Sequence, residues 1–550
     1  MIGVTVPEAI GATLAGLGVR QFFGLVGSGN FAVTVALVAA GASFVASRHE
    51  GGAITAADAY ARVCGAVGVC SVHQGPGLTN AITGLTEAAK SRTPLLLLAA
   101  DTAAAAIHSN FRIAQIGLVE AVGARAVRID QPETAVADTV RAYRLAEAER
   151  RPVVLMLPLD VQAGRCDPPS ESPPPISVAI PTPAPAAIAA AVAALAGAQR
   201  PLIVAGRGAV LADARDILEA LAERSGALLA TSAVANGLFA GNPWALGISG
   251  GFASPLAAEL IGAADVVLGV GVAFNMWTTR HGQLLGAEAT IVQIDREAEA
   301  IGRHQRADIA VVGDAAASAR AILDELTRRA VAPAPWRKPE LAARIQAGAW
   351  VWQPFADAST AERIDPRTLS CRLDALLPAA RTVVTDSGHF MGYPAMYLRV
   401  PDARGFVFTQ AFQAVGLGLA TAIGAAIAQP ERLTVAALGD GGALMGLAEL
   451  ETAARLGLHM LIVVYNDAAY GAEVHHFGPG GAALDQVRFP DTDFAALGRA
   501  VGLAGVTVRQ VADLDAVVAW LAHGTGGLVL DAKVVPTVVA EWLEEAFRGH

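Results

Sequence analysis

Of 550 residues, 53% are hydrophobic and only 16% charged, so the chain can bury about three cores of ordinary domain size. A net charge of −10, with no basic block and no interleaving of basic and aromatic residues, argues against a nucleic acid partner. No run of about 20 apolar residues offers a membrane span, the first apolar stretch carries Glu8 without a basic leader, and the four cysteines (Cys64, Cys70, Cys166 and Cys371) lack metal or redox spacing. These features predict a soluble, cytoplasmic protein.

Two proline-rich seams divide the chain. Residues 167–185 (DPPSESPPPISVAIPTPAP) hold too much proline for a helix or a central strand. Residues 331–366 open near APAPWRK and close at IDP, with a short helix expected between. The remaining segments, 1–166, 186–330 and 366–550, each alternate strand-length apolar runs with helical patterns. That alternation predicts an α/β fold of three doubly wound units with mostly parallel sheets.

In the first unit, PEAIGATLAGLGVRQFFGLVGSGN reads as helix, strand and a glycine turn at Gly27-Ser28-Gly29-Asn30. FVASRHEGGAITAADAYAR follows, with a strand ending at Arg48-His49 and a helix beginning at Glu50. A carboxylate there suits the positive end of a helix. The small apolar neighbours Gly51, Gly52, Ala53 and Ile54 would remove water from it and favour its protonated form. HQGPGLTNAITGLTEAAKSRTP, from His73 to Pro94, then supplies a turn at Gly75-Pro76-Gly77.

In the second unit, RPLIVAGRGAV and ADVVLGVGVAFNMWTTR lack a dinucleotide glycine fingerprint with an acidic residue at the proper spacing. His281 stands near the edge of this unit.

The third unit carries TDSGHF (Thr385 to Phe390) and FQAVGLGLATAIGAA, then the stretch from Arg432 to Gly471. That stretch parses as strand, glycine turn, helix and strand, a βαβ crossover whose ligands bind beyond the carboxyl ends of its strands. Asp440 ends one strand and Asp467 the other, so two carboxylates can converge on one cation. Oxygen ligands from loop ends, completed by phosphate oxygens, suit Mg²⁺. Gly439, Gly441 and Gly442 let the backbone approach a phosphate.

GDG followed by Asn466-Asp467 resembles the thiamine diphosphate signature of the acetolactate synthase, pyruvate oxidase and pyruvate decarboxylase superfamily, and the resemblance runs over essentially the whole chain. It implies Mg²⁺ on Asp440, Asp467 and the Ala469 carbonyl, with an aspartate where the family usually has an amide. It implies that Glu50, in a match to the Arg-His-Glu…Tyr-Ala-Arg motif, donates to N1′ of the aminopyrimidine. Gly75 and Pro76 would lie near that ring, Gly388, His389 and Tyr470 near the diphosphate and the metal loop. Val415 would be the residue that bends the cofactor, shorter than the usual Met, Leu or Ile. The family builds each site from the first unit of one subunit and the third of another, which implies at least a homodimer and often a homotetramer.

For substrate chemistry, Ser28 and His73 fall where benzoylformate decarboxylase-like enzymes place a serine and a histidine. Glu473 falls where pyruvate decarboxylase-like enzymes place an acid, and His476 where acetolactate synthases have a tryptophan; His475 lies beside it. His108, Phe111, Gln74 and Arg112 are further pocket candidates. Both arginines of the flavin-contact loop are missing from Gly271-Val272-Ala273-Phe274-Asn275-Met276-Trp277, so FAD is not expected. The expected activity is decarboxylation of a 2-oxo acid with transfer of the acyl anion to a carbonyl acceptor, a carboligase of acetolactate synthase type. The alternatives are a decarboxylase that releases an aldehyde and a catalytically inactive homologue.

Overall fold

The computed structural model describes residues 3–168 and 181–548. Most of the proline-rich seam expected over 167–185 therefore lies outside the described residues, and a helix over Pro185–Gly197 follows it. The second seam contains the expected short helix, Pro339–Ala347.

Three six-stranded sheets form the frame. The first comprises β1 (Gln21–Gly24), β2 (Ser43–Ala46), β3 (Gly68–Val72), β4 (Leu95–Asp101), β5 (Arg125–Arg128) and β6 (Pro152–Pro158). The second comprises β7 (Pro201–Ala205), β8 (Leu228–Thr231), β9 (Ala245–Ile248), β10 (Val266–Val270), β11 (Thr290–Asp295) and β12 (Ile309–Val312). The third comprises β13 (Arg381–Thr385), β14 (Phe406–Phe408), β15 (Leu433–Gly439), β16 (Met460–Asn466), β17 (Ala504–Val508) and β18 (Leu528–Lys533). All pairings within these sheets are parallel. Helices cover both faces, which is why β6, β7 and β10 read as unbroken apolar runs instead of alternating.

The strand orders are β2-β1-β3-β4-β6-β5 in the first sheet and β14-β13-β15-β16-β18-β17 in the third, the same order in each. The middle sheet runs β9-β8-β7-β10-β11-β12. The first and third units thus share a topology although no repeat is legible in their residues.

These two units pack on each other through α1 (Glu50–Cys64) and α3 (Gly418–Ala428), while α2 (Pro76–Lys90) lies beside α1. Ala59 and Val63 of α1 share a core with Leu419, Ala422 and Ile423 of α3. The approach is close: a Cβ on Gly424 would stand 2.1 Å from the Ala56 carbonyl oxygen. Three further helices shape the third unit: α4 (Asp440–Met445), α5 (Glu449–Arg455) and α6 (Gly471–Phe477). The apolar spacing of Leu444, Leu447, Leu450 and Ala454 suggested one helix, but the chain breaks at Gly446–Ala448 into α4 and α5. The break turns Glu449 inward, where it is almost fully buried.

Candidate active site

Strands β15 and β16 are neighbours in register, Gly439 opposite Tyr465, so the loops beyond them leave the sheet side by side. Asp440 is the first residue of α4 and Asp467 follows Asn466 at the end of β16. Burial pushes the Asp440 carboxyl up to about 6 against bonds from nearby backbone amides, those of Gly441, Ala468 and Ala469 among them. Burial, and then the charge of Asp440, push Asp467 up to about 7. Both carboxyls therefore keep their protons to a higher pH than an ordinary aspartate does.

The chain turns sharply just after Asp467, where Ala468 has φ 58 although it carries a Cβ. Among the described residues no hydrogen bond is donated to the Ala469 carbonyl. A Cβ on Gly441 would lie 2.7 Å from the Tyr470 ring, which keeps the start of α4 bare. No cluster of three or more His, Cys, Asp or Glu side chains able to hold a metal occurs among the described residues. Two carboxylates and one free carbonyl form an incomplete oxygen set, which fits a hard cation that also takes phosphate oxygens.

These residues border a cavity of about 1660 Å³. Gly439, Asp440, Gly441, Gly442, Asp467, Ala469 and Tyr470 line it, and so do Gly388, His389, Val415 and Glu473. Val415 is 42% exposed, so it faces open space and is not a buried strand-end residue. The His389 ring accepts the Ala540 amide at 2.8 Å through Nε2, and its carbonyl accepts the Trp542 indole at 3.1 Å. Burial, with the nearby His475 ring, lowers His389 to about 3, so it stays neutral.

His281 also lines the cavity, with Nε2 2.9 Å from the Glu545 carbonyl. His475 and His476 do not line it. His476 instead stacks on Phe547 at 3.8 Å, and His475 is half-buried beside His389.

The remaining predicted residues gather in the first unit. Glu50, 8% exposed, accepts a hydrogen bond from the Asn80 amide at 3.0 Å. His73 Nδ1 accepts the Gly29 amide at 3.0 Å, which ties the Ser28 turn to β3. Burial lowers His73, with the Glu50 charge opposing. Gly75 adopts φ 61, and a Cβ there would stand 2.6 Å from the Phe111 carbonyl oxygen. Phe111 packs edge-on against His73, whereas His108 and Arg112 are exposed. Gln74 is buried, and its Oε1 has no partner.

Neither Glu50 nor Ser28, His73, Gly75 or Pro76 lines the cavity at Asp440. One chain therefore carries the predicted residues in two separate clusters.

Models of the thiamine pyrophosphate enzyme match all three units: the N-terminal TPP binding domain over residues 4–121, the central domain over 188–322 and the C-terminal TPP binding domain over 386–532. A probable 2-ketoarginine decarboxylase of Pseudomonas aeruginosa is 31% identical, with 93% of this chain and 90% of that protein covered. The chain belongs to the thiamine pyrophosphate enzyme family. A sulfoacetaldehyde acetyltransferase of Castellaniella defragrans is 29% identical over 93% of this chain and 89% of its own length. The acetolactate synthase large subunit of Parasynechococcus marenigrum is 30% identical over 84% and 76% respectively.

Within this family member, several supporting residues escaped the sequence reading. Asp386, buried at the end of β13, accepts the Gly416 amide at 3.0 Å and so anchors the turn that carries Val415. Burial raises it to about 6 against the amides that point at it. It stood in TDSGHF next to residues already singled out, but a strand-end aspartate carries no distinctive spacing. Glu87, fully buried on α2, accepts the amides of Ala411 and Phe412 from the third unit at 3.2 and 2.7 Å. Asn466 is fixed by Asp531, Asp491 and the Thr492 carbonyl, and the buried Lys533 neutralises Asp531 at 2.9 Å. These partners lie 25 or more residues away from Asn466, beyond the reach of local pattern.

Proposed function

We propose that this enzyme binds thiamine diphosphate with Mg²⁺, decarboxylates a 2-oxo acid and transfers the acyl group to a carbonyl acceptor. The observation that carries the reading is the pair of raised carboxylates, Asp440 and Asp467, beside the free Ala469 carbonyl at the ends of adjacent strands. Those three would hold Mg²⁺, and the bare backbone of Gly441 and Gly442 would receive the diphosphate. When bound, thiamine diphosphate supplies an electron sink for the loss of CO₂.

The chain's own groups do the rest. Glu50, held by Asn80, would hold a proton for the aminopyrimidine ring of a cofactor bound on the partner subunit. The half-sites are completed by pairing, so the working unit is a homodimer or homotetramer. Val415, exposed on the cavity wall, would support the cofactor between its two rings. Glu473, on the cavity wall at the start of α6, is placed to move a proton at the reacting carbon. His73 and Ser28 approach from the partner's side, and the neutral His73 can serve as a proton acceptor. His476 stacks on Phe547, which lines the cavity, and so stands behind that wall.

Support for acyl transfer over simple decarboxylation comes from the acetyltransferase and synthase names among the relatives; the decarboxylase name keeps the second outcome in view. The test is a panel of 2-oxo acids supplied with and without aldehyde and ketone acceptors, scored for CO₂ and for carbon products. Hydroxyketone or acetolactate-like products in step with CO₂ support the proposal, and free aldehyde in step with CO₂ replaces it with the decarboxylase reading.

A further inference from the structure

The loop from Gln410 to Gly416 enters the cavity under restraint from both sides. Glu87 takes the amides of Ala411 and Phe412, and Asp386 takes that of Gly416. Between these anchors Gln413 adopts φ 62, a region where any residue with a Cβ is strained and where glycine or asparagine would sit with less cost. Its side chain is nevertheless a long carboxamide, and it lines the cavity. Three residues earlier, Gln410 lines the same wall, and both polar atoms of its amide are shut off from water without a hydrogen-bond partner. An unpaired buried amide is unfavourable, and it is retained at functional sites when a ligand supplies the missing partner.

Strain at one glutamine and an orphaned amide at another are independent observations on one loop. Neither position needs a carboxamide for folding. Met276, Trp277, Leu543 and Phe547 are among the apolar residues that line the cavity, so it offers a substrate both apolar surface for an extended chain and partners for a hydrogen-bonding end.

We infer that Gln410 and Gln413 form a specificity subsite for a neutral hydrogen-bonding terminus on the 2-oxo acid substrate, a carboxamide being the simplest such group. The inference rests on the thiamine diphosphate reading above. A site that pairs its amides with a substrate's polar end discriminates strongly against an apolar analogue, because that analogue leaves the amides unpaired.

The test uses the full-length enzyme with two probes, the carboxamide-ended 2-oxoadipamate and its apolar isostere 6-methyl-2-oxoheptanoate. Thiamine diphosphate affinity, by quenching of tryptophan fluorescence, and the thermal midpoint are read alongside kcat/KM. The wild type should prefer the amide by about tenfold or more. Gln410→Leu and Gln413→Gly should bring the ratio to about one, mainly through KM, with cofactor affinity unchanged and the thermal midpoint equal or higher, because each change removes an orphaned group or a strained backbone. Gln413→Asn, which keeps an amide and tolerates the same backbone, should retain part of the preference. An equal ratio in all forms, or turnover of neither probe by cofactor-loaded wild type, would overturn the inference alone. A loss of cofactor affinity in Gln413→Gly with the ratio unchanged would also overturn it and assign the loop to cofactor binding. Failure of the wild type to bind thiamine diphosphate would overturn the parent reading, and this inference with it.

Discussion

Glu449 accepts the backbone amides of Arg48 and His49 at 3.1 and 3.0 Å, so a carboxylate of α5 holds the first turn of the helix that begins with Glu50. Thr452 donates to its other oxygen at 2.6 Å. There is no room for adjustment, because a Cβ on Gly52 would stand 2.3 Å from Glu449 Oε1. The helix that follows the Asp440 turn thereby positions the backbone that carries Glu50. Glu449→Ala leaves two amides and a hydroxyl unpaired and is expected to cost about 2–4 kcal/mol of stability. It should also lower turnover, whereas Glu449→Gln, which keeps one acceptor oxygen, should lose less of both. Chemical denaturation and steady-state assays of the two variants check this.

The raised carboxyls of Asp440 and Asp467 make the response to metal depend on pH. A carboxyl held at about 6 or 7 in the folded chain, against 3.8 in the unfolded, keeps its proton longer when folded. Metal-free stability from these two groups is therefore lost as pH rises from about 4 towards 7 and stays low above it. A cation bound by the deprotonated pair removes that penalty and releases protons on binding. Magnesium should raise the thermal midpoint clearly at pH 8 and little at pH 5.5, which differential scanning fluorimetry with and without EDTA will register.

Asp467→Asn separates the repulsion from the ligation. The amide keeps an oxygen for the metal and removes the carboxyl that burial and the Asp440 charge push up to about 7. Without metal the variant should be more stable than the wild type at pH 8, by about 1–2 kcal/mol, because no buried carboxylate has to lose its proton at position 467. Activity with saturating Mg²⁺ should remain, with a higher metal concentration needed for half-saturation. Paired denaturation and metal titrations test both expectations.

A buried charge cluster joins the first and third units. Arg62 pairs with Asp58 at 2.6 Å and Glu87 at 2.9 Å and donates to the Phe408 carbonyl at 3.1 Å. Against burial, the Arg62 guanidinium and the amides of Phe412 and Ala411 hold the Glu87 carboxyl below its usual range. Its contribution to stability is present above about pH 4.5 and is lost as pH falls through the depressed value. Glu87→Ala strips Arg62 of one partner and frees two amides, and should destabilise by about 3–5 kcal/mol. It should also weaken thiamine diphosphate binding by loosening the Val415 turn, which a fluorescence titration will show.

Much of the architecture was legible because parallel strands buried on both faces advertise themselves as apolar runs, and because the turns after β15 and β16 carry glycines and acids at a recognisable spacing. The shared strand order of the outer sheets was not, since pairing order leaves no trace in local pattern. The α4–α5 break was missed because Leu444, Leu447, Leu450 and Ala454 keep a helical period across Gly446. The division of the site into halves is implied by the resemblance alone; the structure places Glu50 outside the cavity that Asp440 lines. Val415, expected at the bend, does face the cavity, and His281 does reach it. His476 does not, because the C-terminal segment brings Phe547 against its ring, a contact between residues 71 positions apart that spacing cannot reveal. Glu449, Glu87 and Asp386 went unnoticed for a related reason: each acts on backbone amides, and backbone partners have no residue signature.

The central claim is a Mg²⁺–diphosphate site on Asp440, Asp467 and the Ala469 carbonyl, and calorimetric titration with thiamine diphosphate addresses it most directly. The metal-stripped protein should bind the cofactor weakly, Mg²⁺ should strengthen binding by about a hundredfold or more, and Asp440→Ala should abolish that gain while leaving the fold intact by circular dichroism. Equal binding with and without Mg²⁺, in both the wild type and Asp440→Ala, would contradict the account.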